Sequence, residues 1–377
     1  MQEKTKKLIT AVAILIGTVI GAGVLGMPYV AAKSGFIVLL GYLLIFGSLI
    51  LWTTLCFGEV LLRTKGPHHL TGIAYRYLGR KGKTIMFYLM GISVFSSLIA
   101  YMIGVGESIS FIIFGNSEGM VAFGALFGFF MSYLLWGGIS SLKKFEKIGV
   151  GMILIMIFLI VILFYDKIDT QNLQTFNPVY ILLPFGVVMF SLVEFYSLPS
   201  IRNVLTGSEK LLKKAIFIGM AIPIIFYVIF NFIVVGYAGE NTPEVSTLEL
   251  GPIFIILGII TMFTSYLSLG TALERSYMLD FEDKKKRAWF KATIIPIVVF
   301  LLLQFFEFFS FVTVISAGGV IAGGLITIMI LIIHQKAKKE GNRKPEYEVG
   351  KHRMTKAIVS LLFLMGIVLE LGSIFGI

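Results

Sequence analysis

Charge is what this chain has least of. Asp, Glu, Lys and Arg make up 14% of its 377 residues, against 57% hydrophobic, and the mean hydropathy is +0.92. A soluble domain needs roughly 25% charged residues to cover its surface, so a soluble fold is excluded. The single cysteine, Cys56, excludes an intrachain disulfide. No Asn-x-Ser/Thr acceptor occurs, so nothing marks a glycosylated, secreted surface. A GxxxxGK[ST] loop is also missing, which argues against an ATP-driven pump. Histidines are few, and His68 and His69 sit side by side in a basic loop. With glutamates scattered, no cluster suited to membrane-embedded catalysis emerges, so neither an enzyme nor an organic cofactor is expected.

Apolar length is what the chain has in plenty. Runs at 8–32, 35–62, 84–114, 120–141, 149–165, 179–200, 214–237, 251–274, 291–309, 312–334 and 357–375 give eleven expected spans. Each lies near the ~20 residues that cross a hydrocarbon core. Backbone groups have no partners in lipid, so these runs must be helices. Lys4, Lys6 and Lys7 before the first run resemble a signal peptide. That run continues to Ala32 and ten more follow, so a retained first helix is expected.

The net charge of +11 points to the lipid bilayer as partner and not to nucleic acid. With eleven spans, all but Lys33 and Lys167 of the 32 basic residues fall in loops on the N-terminal side. The positive-inside rule then puts the N-terminus in the cytoplasm and the C-terminus outside, in a plasma membrane. The whole of 1–377 reads as one transmembrane domain. Spans 1–5 (8–165) and 6–10 (179–334) form units of matched length and, being odd in number, of opposite orientation; span 11 (357–375) lies outside them. Inverted repeats of this kind recur in transporters.

Two spans carry helix-breaking residues. Span 1 contains Gly17-Thr-Val-Ile-Gly21-Ala-Gly23-Val-Leu-Gly26-Met-Pro28, and span 6 contains Ser191-Leu-Val-Glu194-Phe-Tyr-Ser-Leu-Pro199. Glycine lowers helix propensity, and proline lacks a donor and clashes with the preceding turn. Gly26, Pro28 and Pro199 are therefore the expected breakers. Interruptions at corresponding places in two halves point to a transporter binding site. Freed N–H groups at a half-helix start suit a carboxylate, and freed carbonyls suit an ammonium group or a cation. An amino acid zwitterion offers both charges. The pairs Gly17/Gly21 and Gly319/Gly323 also fit close helix packing. The GxGxxG match at Gly21–Gly26 has no preceding strand and is a chance one.

The stretch Thr18-Val-Ile-Gly-Ala-Gly-Val-Leu-Gly-Met-Pro-Tyr29 resembles the first-helix signature of the amino acid/auxin permease family and the related hydroxy/aromatic amino acid permeases, both in the amino acid–polyamine–organocation superfamily. Ala100–Glu107 is similar to that group's third helix and Phe190–Arg202 to its sixth. The resemblance implies an all-α, leucine-transporter-like fold with eleven helices, a five-plus-five inverted repeat and alternating access. It implies that the backbone of Gly21, Ala22 and Gly23 binds a substrate carboxylate. The segment from Ser191 to Glu194 would take the amine and help shape the side-chain pocket. Apart from the resemblance, the aromatic residues Tyr101, Phe195 and Tyr196 are candidates to line that pocket. A sodium ion in such relatives is often held between the first and eighth helices.

Other polar residues inside spans are read in this light, because buried ionisable groups in lipid tend to be functional. Glu194 is placed to pair with a substrate ammonium or to carry a proton. Thr264, Ser265 and Ser268 share one face of span 8 with Thr261 and offer hydroxyl ligands to Na+. Coupling to Na+ or to H+ stays open here. Glu59, four residues before Arg63, reads as half of a helix-end ion pair. The function expected is secondary active transport of a small amino acid. The alternative is a membrane amino acid sensor that keeps the fold without net transport, as spore germinant receptor subunits do.

Overall fold

The computed structural model describes residues 2–66, 68–137, 151, 155–156, 158–306, 310–350 and 353–375. The chain is nearly all helical. We number the helices α1 (Gln2–Val19), α2 (Gly23–Ser34), α3 (Phe36–Arg63), α4 (Leu70–Phe114) and α5 (Met120–Trp136). There follow α6 (Pro184–Leu192), α7 (Leu198–Val204), α8 (Leu212–Ala238), α9 (Pro252–Asp280) and α10 (Lys285–Phe305). The last are α11 (Phe311–Ala317), α12 (Gly324–Glu340) and α13 (Arg353–Phe375).

Among the described residues, seven helical stretches are long and apolar enough to cross a membrane, and an eighth is the pair α1 and α2, bent by 51° at its break. Shorter apolar helices occupy Met120–Trp136 and Met354–Leu369. The expected span 149–165 is described in part, at 151, 155–156 and 158–165; within it, 158–164 are helical. The loop expected between spans 2 and 3 holds helix from Leu70, which turns at Gly79 (φ 72°, ψ −166°) into the span-3 part of α4. Only glycine reaches that conformation without strain.

The polarity of the surface is inverted relative to a soluble protein. Phe129, Tyr133, Phe158, Phe305 and Val368 are all exposed, as lipid-facing side chains would be. Small residues let the helices close up inside. A Cβ on Gly319 would stand 2.3 Å from the Gly186 oxygen and 2.4 Å from the Phe190 nitrogen, so the π-helical Gly318–Gly323 segment abuts the backbone of α6.

Several basic residues bond across loops far apart in sequence. Lys7 donates to Thr206 O (3.0 Å), and Arg202 donates to Gly66 O (2.6 Å) and Thr64 O (2.9 Å). Arg343 donates to Leu62 O (2.8 Å), and Lys285 to Trp136 O (3.4 Å). Elsewhere, Asn177 N–H meets Ser34 O and Asp169 N–H meets Gly236 O.

The Glu59–Arg63 pair is present at 2.7 Å, and it is part of something larger. Fully buried Glu59 also accepts from Val349 N–H (2.6 Å) and lies 2.8 Å from His334 Nε2. Lys356 Nζ stands 2.5 Å from His334 Nδ1. An ammonium has only donors, so Nδ1 accepts and Nε2–H points at Glu59. This chain of contacts ties α3, α12 and α13 together.

Candidate functional site

The helix breaks fall where the backbone lets go, not where the prolines stand. Helix α1 ends at Val19, where Gly21 N–H reaches back only to Val19 O (3.1 Å), and α2 begins at Gly23. Thr18 Oγ1, within 3.0 Å of both Ile14 O and Leu15 O, bonds into the last turn. Gly26 and Pro28, expected as breakers, lie inside continuous α2. A proline in a membrane helix is tolerated because neighbouring groups satisfy the freed carbonyl.

In span 6, α6 stops at Leu192. Val193 (φ −88°, ψ 90°) and Glu194 (φ −127°, ψ 44°) leave helical geometry, and a 3₁₀ turn at Phe195–Ser197 leads into α7. Pro199 sits in the first turn of α7. It starts the second half-helix and does not break the first, since its fixed φ suits that position.

The two interruptions face each other. A Cβ added to Gly23 would lie 1.8 Å from Ser191 Oγ and 2.8 Å from Ser191 Cβ, so the start of α2 presses on the end of α6. At Gly21 it would meet Tyr101 Oη at 2.9 Å and Ser265 Oγ at 4.0 Å. The Tyr101 hydroxyl is hydrogen-bonded to Ser265 and to the Ala22 backbone. Span 3, span 8 and the first break thus meet through one phenol.

Glu194 hangs in the second break. Its Oε2 is shielded and has no hydrogen-bond partner among the described residues. A carboxylate oxygen left so is costly unless a ligand or proton completes it. Yet Glu194 and Tyr196 are only half-buried between buried Val193, Phe195 and Ser197, so open space borders them. Tyr196 hydrogen-bonds Ser93 (3.1 Å) and flanks a narrow cleft lined by Phe87, Met90, Val94, Ala272, Leu273 and Ser276.

Other expected residues are placed less directly. Phe195 is fully buried and meets the Phe57 ring edge-on at 6.4 Å, so it packs against α3. Ser191 Oγ donates to Val187 O (2.7 Å) inside α6. Thr264 Oγ1 donates to Thr261 O (2.9 Å) within its own helix, and Ser268 lies one turn beyond Thr264 on the same helix. Of the three hydroxyl residues expected to hold Na+, Ser265 is the one seen beside the break.

Sequence patterning did not single out Tyr227. Its buried hydroxyl donates to Val19 O (2.7 Å) and lies 3.3 Å from Ser191 O, reaching both breaks from α8. One tyrosine in an apolar run gives no signal of this.

Paired interruptions at corresponding places point to a transporter binding site, and comparison with known proteins agrees. The model of the tryptophan/tyrosine permease family matches residues 4–244. The chain belongs to that family. It is a family of permeases, not of enzymes, and its members are multi-pass membrane proteins. The matched stretch includes both breaks, Tyr101 and Tyr227, and stops before span 8.

Among curated relatives, the tyrosine-specific transport system 1 of Haemophilus influenzae is 24% identical over 94% of both chains. Glutamine transporter 2 of Aliivibrio fischeri is 26% identical over 71% of this chain and 74% of its own. The solved structure of MhsT in complex with L-phenylalanine superposes with a TM-score of 0.69 at 14% identity, covering 97% of this chain and 98% of that one. That likeness shows a leucine-transporter-like fold.

Proposed function

We propose that this permease is a secondary active transporter that carries a neutral amino acid across the plasma membrane by alternating access, coupled to Na+ or H+. The observation that carries the reading is the pair of facing breaks, at Ile20–Ala22 and Val193–Ser197, with the incompletely bonded Glu194 between them. The N-terminal end of α2, at Gly21, Ala22 and Gly23, receives the substrate carboxylate. Glu194 and the carbonyls at the end of α6 receive the ammonium group. Tyr101 closes the site from α4.

Relatives named for tyrosine and glutamine transport support a substrate whose side chain is uncharged. A buried carboxylate at the site disfavours an acidic side chain on the same grounds. Tyrosine and phenylalanine are the first candidates. The coupling ion divides two residues: Ser265 beside the first break supplies a hard oxygen for Na+, whereas Glu194 carries H+. In this reading the basic end is cytoplasmic, with the N-terminus there and the C-terminus outside. The units 8–165 and 179–334 are the inverted repeats that rock against one another around the breaks.

The test is binding and uptake with purified protein, using neutral aromatic amino acids first. Tight binding of an amino acid, lost on Glu194→Ala in a protein that keeps its melting temperature, supports the site. Unchanged binding in that variant refutes it.

A further inference from the structure

The two half-helices that end at the middle of the protein, α1 and α6, both point their C-terminal ends inward. The last carbonyls of a helix have no intrahelical donor, and that end carries a partial negative charge. Val19 O and Ser191 O belong to these two ends. They converge on a single atom, the Tyr227 hydroxyl, at 2.7 and 3.3 Å. Val19 O has a second donor in Gly21 N–H (3.1 Å). Converging carbonyls from two negative helix ends are the usual surroundings of a bound cation. Here a neutral side chain stands in that place.

Tyr227 is itself held in position. It is fully buried, and one turn on Asn231 donates from Nδ2 to the Tyr227 carbonyl (2.7 Å). Asn231 Oδ1 is also buried, with no partner among the described residues, so a further oxygen acceptor lies in this part of α8. A phenol has one O–H to give. It bonds Val19 well and Ser191 weakly, which leaves the pair bridged but under-donated.

We propose that the Tyr227 hydroxyl is a built-in substitute for a cation between the two breaks, and that it is a positioning residue for the amino acid site. This rests on the transporter reading above. By tying the end of α1 to the end of α6, it sets the spacing at which α2 and Glu194 can take the two charges of one zwitterion. It follows that this point needs no ion in the natural protein. Any coupling cation must act elsewhere around the breaks.

Tyr227→Phe tests this, because it keeps the ring and removes only the donor. In sodium-free buffer the variant should bind the amino acid on the order of tenfold more weakly, the scale of one lost hydrogen bond. Added Na+ or Li+ should then restore affinity in the variant beyond any change in the unchanged protein. It should also raise the variant's melting temperature without amino acid present, a readout that a packing role would not move. Unchanged affinity overturns the proposal, as does weakened affinity with no response to either ion. Should the variant not fold, 3-fluorotyrosine at position 227 supplies a stronger donor with almost the same shape. Tighter amino acid binding is then expected, and equal binding overturns the proposal. Failure of the unchanged protein to bind any amino acid would instead strike the transporter reading, and the ion-dependent melting would still report on Tyr227.

Discussion

Substituting Gly23 by alanine is the smallest change that tests whether the two breaks must touch. The new Cβ would stand 1.8 Å from Ser191 Oγ, 2.8 Å from Ser191 Cβ and 3.1 Å from Ser191 Cα. The hydroxyl can rotate away, but Cβ and Cα are fixed to α6. Helices α2 and α6 must therefore separate by several tenths of an ångström. Overpacking of this kind costs about 1–3 kcal/mol. If that cost falls on the substrate-holding state, affinity or uptake drops roughly 5- to 150-fold. The assay is uptake of labelled amino acid into proteoliposomes, with thermal melting to follow the fold. Adding Ser191→Gly removes Oγ and Cβ together and should recover much of the loss. A Gly23→Ala protein with normal uptake would refute the reasoning. So would a double variant no better than the single one.

Three further outcomes follow from the same geometry. Glu194→Gln removes the titrating carboxyl at the second break and should abolish uptake driven by a proton gradient if Glu194 carries H+; a retained pH dependence of uptake would exclude that role. Ser265→Ala should weaken any sodium dependence and leave proton-driven uptake unchanged, read as the Na+ concentration for half-maximal uptake. Glu59→Gln removes the buried carboxylate that accepts from Arg63 and from His334 Nε2–H and that balances Lys356 through the imidazole, leaving Arg63 only the exposed Glu348, and should destabilise the protein by about 3–5 kcal/mol. A melting temperature equal to that of the unchanged protein would show the cluster to be dispensable.

The membrane class and the helical runs were legible because apolar length is a local property. The grouping of three of the basic loops was legible too. Lys7, Arg202 and Arg343 bond across loops far apart in sequence, yet all at one end. The breaks were legible as regions but not as residues. Pro28 was the loudest signal in span 1 and lies within a helix. The turn itself needed only glycine-rich backbone at Gly21 and a threonine bonding backwards in the preceding turn. The surroundings of Phe195 were hidden for another reason: neighbours in a broken helix point to different sides, and its ring meets Phe57. Least legible were the contacts made by single side chains over long separations. Tyr227 to Val19 and Glu59 to His334 join residues with no shared period and no shared motif. Only folding brings them together.

The central claim is transport, and the most direct test is accumulation. Purified protein in proteoliposomes should concentrate a neutral amino acid, with aromatic ones tried first, when an inward Na+ or H+ gradient is imposed separately. The account predicts accumulation that collapses when one of the two gradients is dissipated. Binding of the amino acid without accumulation under either gradient would contradict it, and would mark the protein as a sensor built on a transporter's fold.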